Sequence, residues 1–301
     1  MRRNRVVKVK EILYSISKRL QEFEVPDSDL EAEILVRHTL KLDRETIFRE
    51  FEKDLLKSEE QSVYSLLDKR LEGYPLSYIT GKREFYGIDI KIGEGVLIPR
   101  QETEILVQTA ITISKKMRKE NIKIADIGTG SAAISIAIAL NIPNSLVYAC
   151  DISYKALEIA TENINKYSLE DKILLNQGDL LEPILDEMDI ILSNPPYIPN
   201  FQISSLPQEV LNEPRIALDG GKDGLQVISR LMKESVNKLS VDGAMVIEIT
   251  PELSGKTVLL AREHFPEANI LILKDLMEND RAILINRSSE HSDLDYSKPN
   301  W

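Results

Sequence analysis

The fold of this chain is decided by the stretch Ala125-Asp126-Ile127-Gly128-Thr129-Gly130-Ser131-Ala132-Ala133. The apolar run Ile122–Ile127 leads directly into the glycines and predicts a buried strand that ends at a sharp bend. Glycines at such a bend let the backbone turn and approach a ligand that side chains would hold away. The spacing Gly128-x-Gly130-x-x-Ala133 also fits a dinucleotide fingerprint, so this stretch alone does not identify the ligand.

Strand and helix patterns alternate along the chain after residue 122. Apolar runs rich in β-branched residues predict strands, and apolar residues at helical spacing predict helices between them. Such alternation predicts an α/β fold, with a mainly parallel sheet covered by helices on both faces. The predicted strands are 122–127, 146–150, 172–176, 188–193, 244–249, 269–273 and 281–285, and the clearest helices are 131–140, 153–167, 224–239 and 252–264.

Acidic residues follow the next two predicted strands. Asp151 lies about 20 residues past the glycine bend, where a carboxylate can accept hydrogen bonds from both hydroxyls of a ribose. Asp179 could accept from the exocyclic amine of an adenine, and Leu180 could pack on its ring. Because ligands bind beyond the carboxyl ends of parallel strands, these residues predict one nucleotide site. The alternative for Asp151 is a solvated strand end.

The fourth predicted strand ends at Asn194-Pro195-Pro196-Tyr197. Proline has no N–H to give a sheet, so the strand must stop at a stiff corner. The corner offers the Asn194 amide, the Pro195 carbonyl and the Tyr197 ring at the edge where ligands bind. The alternative is a proline-rich turn without function. With nucleotide-binding elements at the three preceding strand ends, the corner favours a methyltransferase acting on nitrogen, because a dinucleotide reductase would not need it.

The first third of the chain has a different pattern. Residues 6 to about 75 show apolar residues at helical spacing, which predicts a small helical bundle. As a partner-docking domain, such a bundle would give a separate catalytic domain its specificity. The alternating segment 85–92, followed by Gly93, Gly95 and residues 96–98, predicts a β-hairpin that turns at these glycines. Thr103 is a candidate cap for the next helix.

Composition limits the classes of function. The 301 residues carry a formal net charge of −11, which argues against a protein that binds nucleic acid through its phosphates. The single cysteine, Cys150, excludes a disulfide framework, and the three histidines, His38, His264 and His291, lack metal-ligand spacing. No apolar stretch approaches the ~20 residues of a membrane span, and the basic N-terminus lacks the apolar core of a secretory signal. These features predict a cytoplasmic protein without a metal.

Motifs distributed along most of the chain occur together in one known family. They are Asp126-Ile-Gly-Thr-Gly-Ser131, Asn194-Pro-Pro-Tyr197, Gly81-Lys-Arg-Glu-Phe85, Leu97-Ile-Pro-Arg100 with Thr103-Glu104, Glu213-Pro214 with Ala217-Leu218, and Gly220-Gly221-Lys-Asp-Gly224. Up to about residue 287 the chain resembles the PrmC/HemK family, the protein-(glutamine-N5) methyltransferases of peptide chain release factors. Two positions depart from the family pattern: Ala132 replaces a usual third glycine, and Gln101 replaces a proline common after Arg100.

The resemblance implies a class I S-adenosylmethionine-dependent methyltransferase fold. A Rossmann-like, mainly parallel seven-stranded sheet would be preceded by a small N-terminal helical-bundle domain and a linking β-hairpin. The expected divisions are a helical substrate-docking domain at 1–77, the hairpin linker at 78–100, the methyltransferase domain at 101–287 and a polar tail at 288–301.

The resemblance also implies the reaction and its partners. The cofactor would be S-adenosylmethionine, and the methyl acceptor would be the side-chain amide nitrogen of the glutamine in the Gly-Gly-Gln loop of peptide chain release factors. Such a methylation supports translation termination. We expect no direct contact with nucleic acid or membrane, and a monomeric state.

Motifs and resemblance together assign roles to individual residues. The predicted cofactor-binding residues are Asp126, Gly128, Thr129, Gly130, Ser131, Ala132, Asp151, Asp179, Leu180 and Asn194. The predicted catalytic residues are Asn194, Pro195, Pro196 and Tyr197, and the predicted substrate-binding residues are these four with Arg100 and Glu213.

Two other functions stay open at the level of the sequence. The corner at Asn194 could hold an exocyclic amine, as in a nucleic-acid adenine-N6 or guanine-N2 methyltransferase. The acidic charge, and a sequence without a recognisable target-recognition domain, argue against this alternative. The chain could also be a binding module that keeps the cofactor fold without catalysis; the intact Asp151 and Asn194 argue against that.

Overall fold

The structure is a computed structural model that describes residues 7–288. The chain forms two compact units. The first contains the described residues up to Gly81 together with Pro207–Asn212, and the second contains Lys82–Leu206 and the described residues from Glu213 onward. The domain boundaries expected at 77, 100 and 287 stay predictions. The expectations for the basic N-terminus and for the polar tail from residue 289 lie outside the described residues.

The N-terminal unit is helical, as predicted. Its helices are α1 (Val9–Glu22), α2 (Ser28–Leu40), α3 (Arg44–Arg49), α4 (Lys57–Leu71) and α5 (Leu76–Thr80). Their apolar faces meet in one core that includes Ile12, Ile16, Leu35 and Val63, all fully buried. Burial of these side chains, at about 1.5–3 kcal/mol each, is what holds such short helices together.

The segment Pro207–Asn212 clusters with this helical unit, although it follows the Asn194 corner in the sequence. The Arg70 guanidinium is 4% exposed and binds Glu31 and Glu209, with Nη2 2.6 Å from Glu209 Oε1. Asn212 Nδ2 donates to the Gly73 carbonyl at 2.8 Å. A buried guanidinium needs both carboxylates, so these contacts hold the segment firmly within its unit.

The linking hairpin turns at a different place from the one predicted. Strands β1 (Lys82–Phe85) and β2 (Ile88–Lys91) pair with Phe85 opposite Ile88, so the turn is Tyr86-Gly87. Both turn residues have positive φ, +52° and +71°, as a two-residue hairpin turn requires. The chain also turns at Gly93 and Gly95, as predicted, with the Val96 amide 3.4 Å from the Gly93 carbonyl. The prediction that this turn closes the hairpin is wrong, because residues 96–98 form no strand.

The second unit contains the predicted seven-stranded sheet. Its strands are β3 (Ile122–Ile127), β4 (Ser145–Asp151), β5 (Ile173–Gln177), β6 (Met188–Ser193), β7 (Leu239–Glu248), β8 (Asn269–Lys274) and β9 (Asp280–Asn286). The order is β5-β4-β3-β6-β7-β9-β8, and all neighbours are parallel except those of β9, which is antiparallel to both β7 and β8. Every residue of β6 is buried, as expected for a central strand covered on both faces. The carboxyl ends of β3, β4, β5, β6 and β7 therefore share one edge.

Helices cover this sheet. They are α6 (Glu104–Ser114), α7 (Ala133–Asn141), α8 (Tyr154–Lys166), α10 (Gln226–Ser235) and α11 (Ser254–His264), while α9 (Gln208–Leu211) belongs to the helical unit. The helix predicted at 224–239 is shorter than expected, because Leu239 already pairs with Met188 as the first residue of β7. Within residues 7–288, no helix is both long and apolar enough to cross a membrane.

Candidate active site

The glycine bend lies at the carboxyl end of β3 and is tied to β4. The amides of Gly128 and Thr129 both donate to the Cys150 carbonyl at 2.9 Å. Gly128 and Gly130 have φ of +74° and +56°, conformations that favour glycine. A Cβ added at Gly130 would meet no atom of the described chain within 4 Å. The bend thus leaves open space beside its exposed backbone.

Asp126 is buried beneath the bend. Its Oδ2 accepts from Thr129 Oγ1 at 2.7 Å and from Ser135 Oγ at 2.6 Å. Burial raises the pKa of Asp126 to about 6, although hydrogen bonds from Ser135 and Thr129 oppose the shift. Among residues 7–288, no group donates to Asp126 Oδ1, and Ser131 Oγ is likewise buried without a partner. Buried polar atoms without partners carry a free-energy cost, so the bend fits a ligand that supplies hydrogen bonds here.

Ala132 immediately precedes helix α7 and adopts a left-handed conformation. Its φ is +63°, and its side chain is fully buried. An L-residue pays about 1–2 kcal/mol for this backbone region, which explains why a glycine suits the position. The Ala132 amide donates to the Thr129 carbonyl, 2.9 Å away, and this hydrogen bond helps to hold the turn in that conformation.

Asp151 ends β4 beside the bend. Its Oδ2 accepts from the Gly130 amide at 2.9 Å and its Oδ1 from the Ser153 amide at 2.8 Å. Burial raises the pKa of Asp151, and the hydrogen bonds from backbone amides oppose the shift. Each carboxylate oxygen keeps a further lone pair, so Asp151 can still accept from a pair of ribose hydroxyls. The next residue, Ile152, is half-exposed and offers an apolar surface that the sequence analysis did not identify.

Asp179 and Leu180 follow β5, and the Asp179 carboxylate forms a salt bridge with a residue of α10. Arg230 Nη2 on α10 lies 2.6 Å from Asp179 Oδ2. Leu180 has a φ of +51° and packs partly buried against the core of the sheet. An adenine amine at Asp179 would therefore share this carboxylate with Arg230.

The Asn194 corner is part of a buried hydrogen-bond network. Asn194 Nδ2 donates to Thr103 Oγ1 at 3.1 Å, and Thr103 Oγ1 donates to Glu248 Oε2 at 2.6 Å. Tyr197 OH donates to the other oxygen, Glu248 Oε1, at 3.2 Å. Because the amide nitrogen of Asn194 donates to Thr103, its Oδ1 is the atom left to accept from a ligand. One carboxylate thus fixes both polar side chains of the corner.

Thr103 and Glu248 have roles that the sequence analysis missed. Thr103 precedes α6, but its hydroxyl makes no capping hydrogen bond there and binds Glu248 instead. Glu248 is 1% exposed at the carboxyl end of β7. The available signal was an acidic residue within the apolar run predicted as strand 244–249, because buried carboxylates require partners.

Burial of Glu248 predicts a pH dependence of stability. Burial raises the pKa of Glu248 to about 7 from 4.5, against opposing hydrogen bonds from Thr103 and Tyr197. Between these values the folded state holds a proton that the unfolded chain has released, so stability falls as pH rises from 4.5 to 7. The shift corresponds to about 3 kcal/mol.

The variant Glu248→Gln cannot titrate and isolates this contribution. We expect the wild type to lose about 2–3 kcal/mol more unfolding free energy than Glu248→Gln between pH 5 and pH 8. Denaturant unfolding of both proteins at several pH values measures the difference, and Asp126 titrates in both. Parallel stability curves would show that Glu248 does not change its protonation on folding in this range.

The loop formed by residues 218–224 contacts the backbone of Tyr197 and Ile198. Gly220 N donates to the Ile198 carbonyl at 2.9 Å, and Ile198 N donates to the Leu218 carbonyl at 2.9 Å. A Cβ added at Gly224 would lie 2.3 Å from the Tyr197 carbonyl oxygen, and the φ of Gly224 is +81°. Close backbone approach therefore explains the glycine at 224.

We expect Gly224→Ala to destabilise the protein through both strain and collision. The control is Gly87→Ala, where φ is +71° and an added Cβ would meet no described atom within 4 Å. Strain alone should cost about 1–2 kcal/mol in each variant, and the collision should add about 1–3 kcal/mol at Gly224. Denaturant unfolding gives both values. Equal losses of unfolding free energy in the two variants would mean that the backbone at Tyr197 shifts to accommodate the added Cβ without a further cost.

Arg100 and Glu213, both predicted to bind substrate, bind one another. Glu213 is 5% exposed, and its Oε2 accepts from the Ile98 amide at 2.8 Å, while its Oε1 pairs with Arg100 Nη2. The buried carboxylate therefore fixes the backbone that leads to Thr103. In residues 7–288, His, Cys, Asp and Glu form no group of three or more that could hold a metal ion.

Comparison with known proteins identifies the family of this chain. Residues 11–81 match the PrmC N-terminal domain, and residues 102–221 match the methyltransferase small domain. A release factor glutamine methyltransferase of Moorella thermoacetica is 37% identical over 274 residues, which cover 91% of this chain and 96% of that protein. The chain belongs to the release factor glutamine methyltransferase family. A second family member, from Rhodopirellula baltica, is 39% identical over 86% of this chain and 89% of its own length.

Solved structures share the fold at low sequence identity. The catalytic domain of hMettl16, in complex with MAT2A 3′UTR hairpin 1, matches with a TM-score of 0.55 and 14% identity. The match covers 78% of this chain and 82% of that one. This match confirms the predicted class I methyltransferase fold. The relatives named above confirm the family resemblance, and the match at residues 102–221 confirms a methyltransferase domain.

Proposed function

We propose that this protein transfers a methyl group from S-adenosylmethionine to the side-chain amide nitrogen of the glutamine in the Gly-Gly-Gln loop of peptide chain release factors. The observation that carries the proposal is the orientation of Asn194, whose Nδ2 donates to Thr103 and whose Oδ1 remains as an acceptor. The family membership and the names of its relatives supply the acceptor class.

The chemistry of this site is mainly positioning of a weak nucleophile. The nitrogen of an amide is poorly nucleophilic because its lone pair is delocalised into the carbonyl. Asn194 Oδ1 and the Pro195 carbonyl can each accept one of its N–H groups and so aim the nitrogen. Pro196 keeps the corner stiff, and the Tyr197 ring can pack on the planar amide and exclude water. Positioning of this kind can contribute up to about 7–11 kcal/mol.

The cofactor would lie along the carboxyl ends of β3, β4 and β5. Gly128, Thr129 and Gly130 give it room, and Asp126 and Ser131 supply the polar atoms that have no partner among residues 7–288. Asp151 would hold the ribose, while Asp179 and Leu180 would contact the adenine. When bound, S-adenosylmethionine supplies the electrophilic methyl group.

We also propose a docking role for the helical unit, a cytoplasmic location and a monomeric state. The helical unit, α1 to α5, would dock the release factor, because none of its described residues belongs to the hydrogen-bond network around Asn194. The single cysteine is buried and suits a reducing cytoplasm. We propose a monomer that contacts neither nucleic acid nor membrane.

Mass spectrometry of release factors after incubation with this protein and labelled cofactor tests the function. We expect one added methyl group on the glutamine of the Gly-Gly-Gln loop. Intact release factor should react far faster than a short Gly-Gly-Gln peptide, because binding at remote surfaces positions the glutamine. Labelled nucleic acid with unlabelled release factor would instead support the adenine-N6 or guanine-N2 alternative. Equal efficiency on peptide and intact factor would leave the helical unit without a docking role.

A further inference from the structure

The turn between β8 and β9, residues 275–279, presents two large apolar side chains to solvent. Leu276 is 78% exposed and Met277 is 82% exposed. Exposed single apolar residues are ordinary, but two adjacent ones at a turn tip form a small surface that water solvates poorly. We call Leu276 and Met277 the apolar tip.

The apolar tip is carried by a rigid turn. Asp275 Oδ1 accepts from the amides of Met277 and Asn279 at 2.9 and 3.0 Å, and Asp275 N donates to the Asn279 carbonyl at 2.9 Å. Asp275 Oδ2 binds Arg281 Nη2 at 3.0 Å. A turn fixed by its own hydrogen bonds loses little conformational entropy when its side chains meet a partner.

Strand pairing places the apolar tip at the catalytic edge of the sheet. Strand β9 is antiparallel to β7, with Ala282 opposite Glu248. Asp280, which begins β9, therefore lies about 7 Å beyond the level of Glu248, and the tip follows from there. Strand β9 is separated from β6, which ends at Asn194, by β7 alone, a lateral distance of about 10 Å. The tip thus extends from the same edge of the sheet as Asn194, the edge at which a substrate would enter.

Arg281 connects the base of the turn with the catalytic network. Burial lowers the pKa of Arg281, but Asp275 and, more weakly, Glu248 and Glu102 outweigh this effect and raise it. The Arg281 carbonyl also accepts from the Ile249 amide at 2.8 Å, and the next residue, Ala282, lies opposite Glu248. Backbone pairing and the Asp275–Arg281 salt bridge thus connect the turn with the strand end that carries Glu248.

We propose that Leu276 and Met277 contact the surface of the release factor that flanks its Gly-Gly-Gln loop, an inference that rests on the proposed function. A glutamine side chain offers few contacts of its own, so neighbouring protein surface must supply binding energy. An unbranched methionine adapts its shape to such a surface. The occupant is apolar protein surface beside a flexible loop.

The test compares two double variants with wild-type protein. Leu276→Ser with Met277→Ser removes the apolar tip. Leu185→Ser with Val241→Ser is the control, because these residues are 91% and 74% exposed at the amino ends of β6 and β7, the opposite edge of the same sheet. Methylation kinetics are measured on intact release factor and on a short Gly-Gly-Gln peptide.

We expect the tip variant to raise KM for intact release factor at least about tenfold, since two apolar side chains lose their burial. Its kcat, and its kcat/KM on the peptide, should match those of wild type and of the control variant. Equal KM values for both double variants, while the wild type methylates release factor, would overturn the inference but leave the function standing.

Other outcomes overturn the inference in distinguishable ways. A loss on the peptide as well would mean that the tip acts through the network of Glu248. A wild-type dimer that the tip variant converts to monomer in sedimentation would make the tip an interface between two copies. Wild-type protein that methylates no release factor would remove both the function and the inference.

Discussion

Replacing Asn194 with alanine should reduce methyl transfer to release factor by at least about 100-fold, while the affinity for S-adenosylmethionine stays near that of wild type. The reason is geometric. Asn194 Oδ1 is the acceptor that the Thr103 contact leaves available, and its loss releases one N–H of the substrate amide. Asn194 lies partly exposed at the end of a fully buried strand, so the truncation should leave the fold intact. Single-turnover kinetics and calorimetry measure the two quantities separately.

Variants at Thr103 test whether its hydroxyl orients the Asn194 amide. Thr103→Ser keeps the hydroxyl that links Asn194 to Glu248 and should retain most of the turnover. Thr103→Val keeps the shape but removes the hydroxyl, so Asn194 loses its orientation and turnover should fall without a matching loss of cofactor affinity. Asn194→Asp keeps an acceptor but adds a charge near the methyl donor. Near-normal turnover in Asn194→Ala would show that the proposed positioning is wrong.

The sheet was predictable from the sequence because its signal is local. Each central strand is an apolar run closed by a turn residue, and burial on both faces makes such runs continuous. The ends of β3 and β6 carry glycine or proline, whose backbone limits hold in any context, so the positions of Gly128 and Asn194 at the shared edge followed directly.

The missed features depend on contacts between distant parts of the chain. Thr103 and Glu248 are 145 residues apart, and no local pattern reports that a threonine at the start of a helix will donate to a strand end rather than cap the helix. The hairpin turn was misplaced because Tyr86 adopts positive φ without the Asn-Gly or Asp-Gly signature. The position of Glu209 beside Arg70 depends on a salt bridge that sequence spacing cannot indicate.

Replacing Asp151 with alanine should weaken S-adenosylmethionine binding by about 1.5–3 kcal/mol, or roughly 10- to 150-fold in Kd. The carboxylate accepts from the Gly130 and Ser153 amides and retains lone pairs for two ribose hydroxyls. Its removal therefore takes away ligand contacts and also releases the glycine bend. Calorimetric titration with the cofactor gives the affinity.

Two further variants separate these effects of Asp151. Asp151→Asn keeps one oxygen for the Gly130 or Ser153 amide but loses the charge that strengthens hydrogen bonds from hydroxyls. Its affinity for S-adenosylmethionine should therefore lie between the affinities of wild type and Asp151→Ala. Asp186→Ala removes an exposed carboxylate that binds Tyr148 and precedes β6, at the opposite edge of the sheet, and should leave the affinity unchanged. Asp151→Ala protein that unfolds normally yet binds cofactor with wild-type affinity would remove Asp151 from the site. The ribose would then have to be held by other groups near the bend. Asp126 Oδ1 and Ser131 Oγ, which have no partner among residues 7–288, would become the next candidates.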